Sequence, residues 1–348
     1  MQKSNGLIVA AICLAFSPIS AIPAAEKPTS GDVLTLVHRY PLPPSIKGHF
    51  DHFAVDPQTT RLFGTAVEDK KLVIFDLSKG VMTHAIQGIE EPRAVLYRPD
   101  ISRLFVSDGG GALRIFDSKT YQPIKTLKLL LDADPIVYDP ATQRLFVVNG
   151  GEKAKHSYSN ITVFDTNGGI QIGDIQLDGI EIEGMAVEKG GPRLFANNRD
   201  KNQIDIFDRE KLTRIATWPI TTCKKNTVMA LDESTHRMFV ACHEGQLVVV
   251  DLNTGKELQT LPIGQGADDI DFDMETKRIY VASGGGKGSV DAYRELDADH
   301  YESLGRFVSA PGAATARLIA ELSDYVVLAP AQNNQPAQVL VFHVGPVK

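Results

Sequence analysis

One pattern constrains this chain more than any other. It recurs as Arg61-Leu62-Phe63, Arg103-Leu104-Phe105, Arg144-Leu145-Phe146, Arg193-Leu194-Phe195, Arg237-Met238-Phe239 and Arg278-Ile279-Tyr280. The arginines stand 42, 41, 49, 44 and 41 residues apart, so one supersecondary unit is repeated. Five residues before each arginine stands Asp56, Arg98, Asp139, Glu188, Asp232 or Asp273, preceded by a short apolar segment such as Phe53-Ala54-Val55 that reads as an inner strand. A second apolar strand follows each arginine. A third ends in Phe75-Asp76, Phe116-Asp117, Phe164-Asp165, Phe207-Asp208 or Val250-Asp251, and turn residues such as Asn253-Thr254-Gly255 lead into a fourth.

Four strands per unit of 40 to 45 residues describe a propeller blade. A seventh, incomplete unit begins near Ala314 and lacks its fourth strand, which residues 32–38 are able to supply. Such closure removes open sheet edges. The expected fold is all-β: a seven-bladed β-propeller of four-stranded blades, closed by an N-terminal strand completing the last blade. One domain is expected over residues 25–348, with blades near 51–88, 89–129, 130–179, 180–220, 221–264, 265–309 and 310–346. The recurring arginines and Phe-Asp strand ends read as architecture, the aromatics packing between blades and the aspartates accepting turn amides.

The units, with Ile279-Tyr280-Val281-Ala282-Ser283 and Leu145-Phe146-Val147-Val148-Asn149 as local variants, resemble the YVTN-type repeat of exported bacterial YncE-like propeller proteins. That resemblance implies a seven-bladed propeller and a periplasmic or secreted location, and it carries over no catalytic residue.

Residues 1–24 agree with export. Lys3 precedes an apolar run at residues 7–16, and Ala21 and Ala24 are small residues suited to cleavage. The run is too short to span a bilayer, and Cys13 lies inside it after Ile12 rather than in a lipid-attachment box. A net charge of −7 argues against nucleic acid and anionic membrane surfaces as partners. A small molecule or a protein partner is expected, with the chain acting as a monomer. Cys223 and Cys242 remain after cleavage, and an oxidising compartment allows them to pair across neighbouring strands. A soft-metal role for Cys242 with His243 lacks a third ligand.

No nucleophile elbow, His-Glu-x-x-His or Cys-x-x-Cys occurs. The glycine-rich residues 284–288 join strands and open no helix for phosphate. The stretch Asn253-Thr254-Gly255-Lys256-Glu257-Leu258 is similar to part of the quinoprotein propeller repeat, but Trp218 is the sole tryptophan, so no quinone cofactor is implied.

Geometry supplies the candidate site. Ten residues before each repeat arginine lie Asp51, Arg93, Asp134, Glu183, Thr227 and Asp268, at the tunnel entrance of a propeller. The carboxylates Asp51, Asp134, Glu183 and Asp268 form a candidate site for Ca²⁺ or another divalent cation, positionally similar to regucalcin-like gluconolactonases. The alternative is a hydrated acidic tunnel partly neutralised by Arg93. His52 and Asp269 are the candidate proton-transfer groups. Loops on the same face offer Asp108, Asn149, Asn197, Arg199 and His243. The longest loop, 150–160, adds Lys153, Lys155, His156 and Tyr158 as a flap or a partner surface. The leading functional expectation is a non-catalytic exported scaffold binding on this face; the alternative is a metal-dependent lactonase or hydrolase.

Overall fold

The computed structural model describes residues 33–346, and the expected signal peptide at residues 1–24 lies outside them. The strands form seven four-stranded antiparallel sheets arranged as a ring, a β-propeller. The inner strands are Ala54–Asp56, Pro92–Arg98, Ile136–Asp139, Ile182–Val187, Asn226–Asp232, Ala267–Asp273 and Thr315–Ile319. The matching outer strands are Val81–Ile86, Pro123–Lys128, Ile170–Leu177, Thr213–Pro219, Glu257–Pro262, His300–Val308 and Leu34–Pro41. The last of these comes from the N-terminal side and pairs antiparallel with Gln338–Val344, so both ends of the described chain share one blade. It runs slightly later than residues 32–38, with a register shift between Leu36 and His38.

The burial pattern explains the layering. Second and third strands, such as Arg61–Ala66 and Lys71–Asp76, are apolar and almost wholly buried, whereas outer strands such as Pro123–Lys128 are largely exposed. Buried apolar side chains gather into seven clusters among the described residues, one between each pair of adjacent blades. Each blade therefore buries its faces only against its neighbours, which is why a ring rather than a single sheet is stable. The phenylalanines of the Phe-Asp strand ends lie in these clusters. Asp76, Asp117, Asp165, Asp208 and Asp251 accept the amides of the following turns.

The repeat arginines do more than hold their own turns. Arg61 donates to the Ser118 carbonyl at 2.8 Å, Arg144 to Arg209 at 3.0 Å, Arg193 to Leu252 at 2.6 Å, Arg237 to Ala298 at 2.8 Å and Arg278 to Gly345 at 2.6 Å. In each case the acceptor belongs to the next blade. Four of those carbonyls immediately follow the aspartate that ends the third strand. The arginines are thus inter-blade clamps, and Asp56 and Glu188 hold two of them in position at 3.1 and 2.5 Å. The second blade departs from the rule in an instructive way. Its Arg103 reaches only its own blade, while Arg98, which replaces the turn acid, extends instead to Thr166 of the third blade.

Replacing Arg193 by alanine is expected to lower unfolding stability by about 1–3 kcal/mol, since it removes a carbonyl bond and leaves Glu188 without its partner. Arg103→Ala, which breaks no inter-blade bond, is expected to cost less than about 1 kcal/mol. Urea unfolding of both variants measures the difference; equal losses would contradict the clamp.

Candidate functional site

Strand irregularities create the site. The ladders between first and second strands shift register at Pro92/Val95, Ile182/Met185, Asn226/Val228 and Ala267/Asp269. Arg93, Glu183, Thr227 and Asp268 occupy those bulges, where the backbone turns a side chain out of the blade. Glycine permits one of them: a Cβ on Gly184 would lie 2.8 Å from the Thr227 carbonyl and 2.9 Å from the Val228 Cα. Asp51 and Asp134 come just before their inner strands and complete the rim.

The rim encloses a cavity of about 1100 Å³ at the tunnel mouth. Its carboxylates are Asp51, Asp132, Asp134, Glu152, Glu181, Glu183, Glu244 and Asp268, set against the cations Arg93, Lys153 and Arg199. The structure therefore gathers Asp51, His52, Arg93, Asp134, Glu183, Arg199, His243 and Asp268 around one cavity. Thr227 is not among them; it is buried, with Oγ1 donating to the Lys225 carbonyl.

A chain of charges crosses the mouth. Lys153 of the long loop pairs with Glu91, which also holds Arg93. Arg93 Nη1 lies 3.2 Å from Asp51 Oδ2 and 3.9 Å from Asp134 Oδ2. His52 Nδ1 is 3.0 Å from Asp269 Oδ1, and Asp269 Oδ2 accepts the Ala316 amide at 2.8 Å. Both candidate proton-transfer residues thus meet, although Asp269 is buried and is not among the residues lining the cavity. Glu183 turns to Arg199 at 2.8 Å.

Crowded carboxylates shift the titration of the site. Burial and the Asp51 charge raise the Asp134 carboxyl well above the carboxylate range. The same two causes push Asp268 up to about 7. Burial pulls the His52 imidazole down, but Asp269, Asp51 and Asp134 together outweigh it and hold its pKa well above that of a free histidine. Burial, Arg199 and Lys225 lower His243.

Three residues expected on the ligand face have other work. Asp108 and Asn197 are fully buried and Asn149 nearly so. Asp108 accepts the Glu90 and Glu91 amides, Asn149 the Leu130 amide, and Asn197 donates to the Thr227 carbonyl. Asp108 and Asn149 belong to a series five residues after the repeat arginines of five blades, the first blade having Ala66 there. Asn198 donates to the Asp178 carbonyl, Ser283 to that of Gly264, and Cys242 is joined to Cys223 by a disulfide with Cα atoms 6.3 Å apart. Each of these five ties down the segment entering its inner strand, so the disulfide is the covalent form of a tie that four other blades make with hydrogen bonds. The fixed offset was the signal that identifies this set. His156 and Tyr158 stack on each other at 4.7 Å and lie outside the cavity lining, which Lys153 joins. Gly284 and Gly285 line it as part of a strand-to-strand loop.

Comparisons with known proteins bear on the fold. No family model matches the chain. THO complex subunit 3 of Arabidopsis thaliana is 20% identical over 246 residues, covering 68% of this chain and 73% of that protein. A chain in the crystal structure of the mitotic checkpoint complex superposes with a TM-score of 0.74 at 15% identity, covering 97% of this chain and all of that one. Kuenenia stuttgartiensis hydrazine synthase gives a TM-score of 0.70 at 15% identity over 85% of this chain and 95% of its own. At such identities the likeness extends to the propeller architecture.

Gly184→Ala is expected to displace the bulge that carries Glu183, destabilising the fold by about 1–3 kcal/mol. Thermal unfolding together with a crystal structure of the variant measures this; an unchanged melting temperature and an unmoved Glu183 would contradict the packing argument.

Proposed function

We propose that this chain is an exported, monomeric propeller scaffold that binds a positively charged small molecule, or a basic segment of a partner protein, in its axial mouth without turning it over. The observation that carries this reading is the mouth itself: one cavity of about 1100 Å³ whose carboxylates outnumber its lysines and arginines eight to three. Propellers concentrate binding on loops held by a rigid scaffold, and the ties entering each inner strand supply that rigidity. Export rests on the sequence of residues 1–24, with a periplasmic or secreted location and YVTN-type, YncE-like kinship as part of the same reading. Among the described residues no helix is long and apolar enough to cross a membrane.

A divalent-metal-dependent lactonase or hydrolase is the second reading. The observation favouring it is that Asp51, His52 and Asp134 each offer a ligand atom within 4.8 Å of the others. The four-carboxylate arrangement expected for Ca²⁺ is weakened by Arg199, which engages Glu183.

A thermal-shift screen of polyamines, quaternary amines and basic peptides against matched anionic compounds tests the leading reading. Cationic compounds are expected to raise the melting temperature, with salt weakening the effect and Asp268→Asn reducing affinity about three- to tenfold. Stabilisation confined to anionic compounds would contradict it.

A further inference from the structure

The mouth holds a finer arrangement than its charge alone. His52 is fixed from behind: its Nδ1 faces Asp269 at 3.0 Å, and Asp269 is itself anchored by the Ala316 amide at 2.8 Å. With the Nδ1 proton directed to Asp269, Nε2 is the ring nitrogen left for another partner. It lies 3.7 Å from Asp51 Oδ1. Two ligands held at 2.0–2.1 Å from a tetrahedral metal stand about 3.3 Å apart, so a small adjustment brings both onto one ion.

The carboxylates are arranged in the same sense. Arg93 Nη1 addresses Oδ2 of Asp51 and Oδ2 of Asp134. Asp134 Oδ1 is buried and has no hydrogen-bond partner among the described residues. Asp51, His52 and Asp134 place one ligand atom each within 4.8 Å of one another. A histidine whose second nitrogen is held by a carboxylate, itself held by backbone, is the outer-shell arrangement that orients metal-binding imidazoles.

We propose that Asp51, His52 and Asp134 form a three-ligand site for a borderline divalent metal ion of the Zn²⁺ or Co²⁺ type, with Asp269 and Arg93 as positioning residues. An imidazole with two carboxylates suits such ions, whereas Ca²⁺ takes oxygen ligands alone. Three protein ligands leave a coordination position open to the cavity, where a water or a ligand atom completes the shell. The proposal rests on the mouth being the binding site and adds the identity of what it binds.

The test uses the mature protein, stripped with chelator and titrated with Co²⁺ by calorimetry and visible absorption. One equivalent is expected to bind with ligand-field bands in the visible range. His52→Gln and Asp134→Asn should each abolish those bands, with melting curves checking that both variants fold. Asp269→Asn should weaken Co²⁺ affinity about 10- to 100-fold. His300→Gln removes an exposed histidine paired with Asp297 far along the chain, and should leave the titration unchanged.

Failure of Co²⁺ and Zn²⁺ to bind the wild type overturns the proposal, as does Co²⁺ binding that survives in both folded ligand variants. Binding of Ca²⁺ alone, indifferent to His52→Gln, overturns it too. If metals fail while cationic organic compounds still stabilise the protein, the metal site falls and the acidic binding mouth stands.

Discussion

Six of the seven junctions between blades, all but the one between the last blade and the first, carry a guanidinium that reaches into the next blade. Arg61, Arg144, Arg193, Arg237 and Arg278 reach across the gap between blades to carbonyls beyond the neighbouring third strand. Apolar clusters supply most of the attraction between blades, but they are non-directional and tolerate sliding. A charge-assisted hydrogen bond to a fixed carbonyl does not. The clamps therefore set the angle between blades, and small errors in that angle would accumulate around seven of them. Closure by Leu34–Pro41 completes the ring at the one place where the chain ends would otherwise leave an edge.

That geometry is what brings chemistry to the axis. The mouth draws on residues far apart in sequence, with His52 and Asp269 separated by 217 positions. Bulges in the inner strands turn Arg93, Glu183 and Asp268 toward the cavity, and the ties at Asp108, Asn149, Asn198, Cys242 and Ser283 hold the segments that lead into those strands. Burial first, and then the nearby Asp51 charge, raises the proton affinity of Asp134 and Asp268. A bound cation would relieve the Asp51 repulsion, which is the electrostatic basis of the cationic ligand proposed for the mouth.

The architecture was legible because it is periodic. Arginine spacing marked the blades, acid-led turns and Phe-Asp ends marked strand boundaries, and an unpaired final unit pointed to closure by the N-terminal segment. The site was legible in part. Counting back from the arginines located Asp51, Arg93, Asp134, Glu183 and Asp268, all of which line the cavity, but also Thr227, which the bulge buries. Pairings across the ring were not legible, because they depend on where blades meet: Arg93 with Asp51 and His52 with Asp269. Asp108, Asn149 and Asn197 look like loop groups by composition, yet all three are buried in the ties and bonds that hold the frame.

The central claim is that the mouth belongs to a single closed frame, with residues from several blades held by clamps that make the ring one unit. Native-state hydrogen exchange under rising denaturant tests this most directly, since cooperative units open with a shared free energy. The account predicts that slow amides in Leu34–Pro41 and Gln338–Val344 merge with those of the other blades into one global unfolding isotherm. Exchange of that closing blade through a separate opening, at a free energy well below the global value, would contradict it.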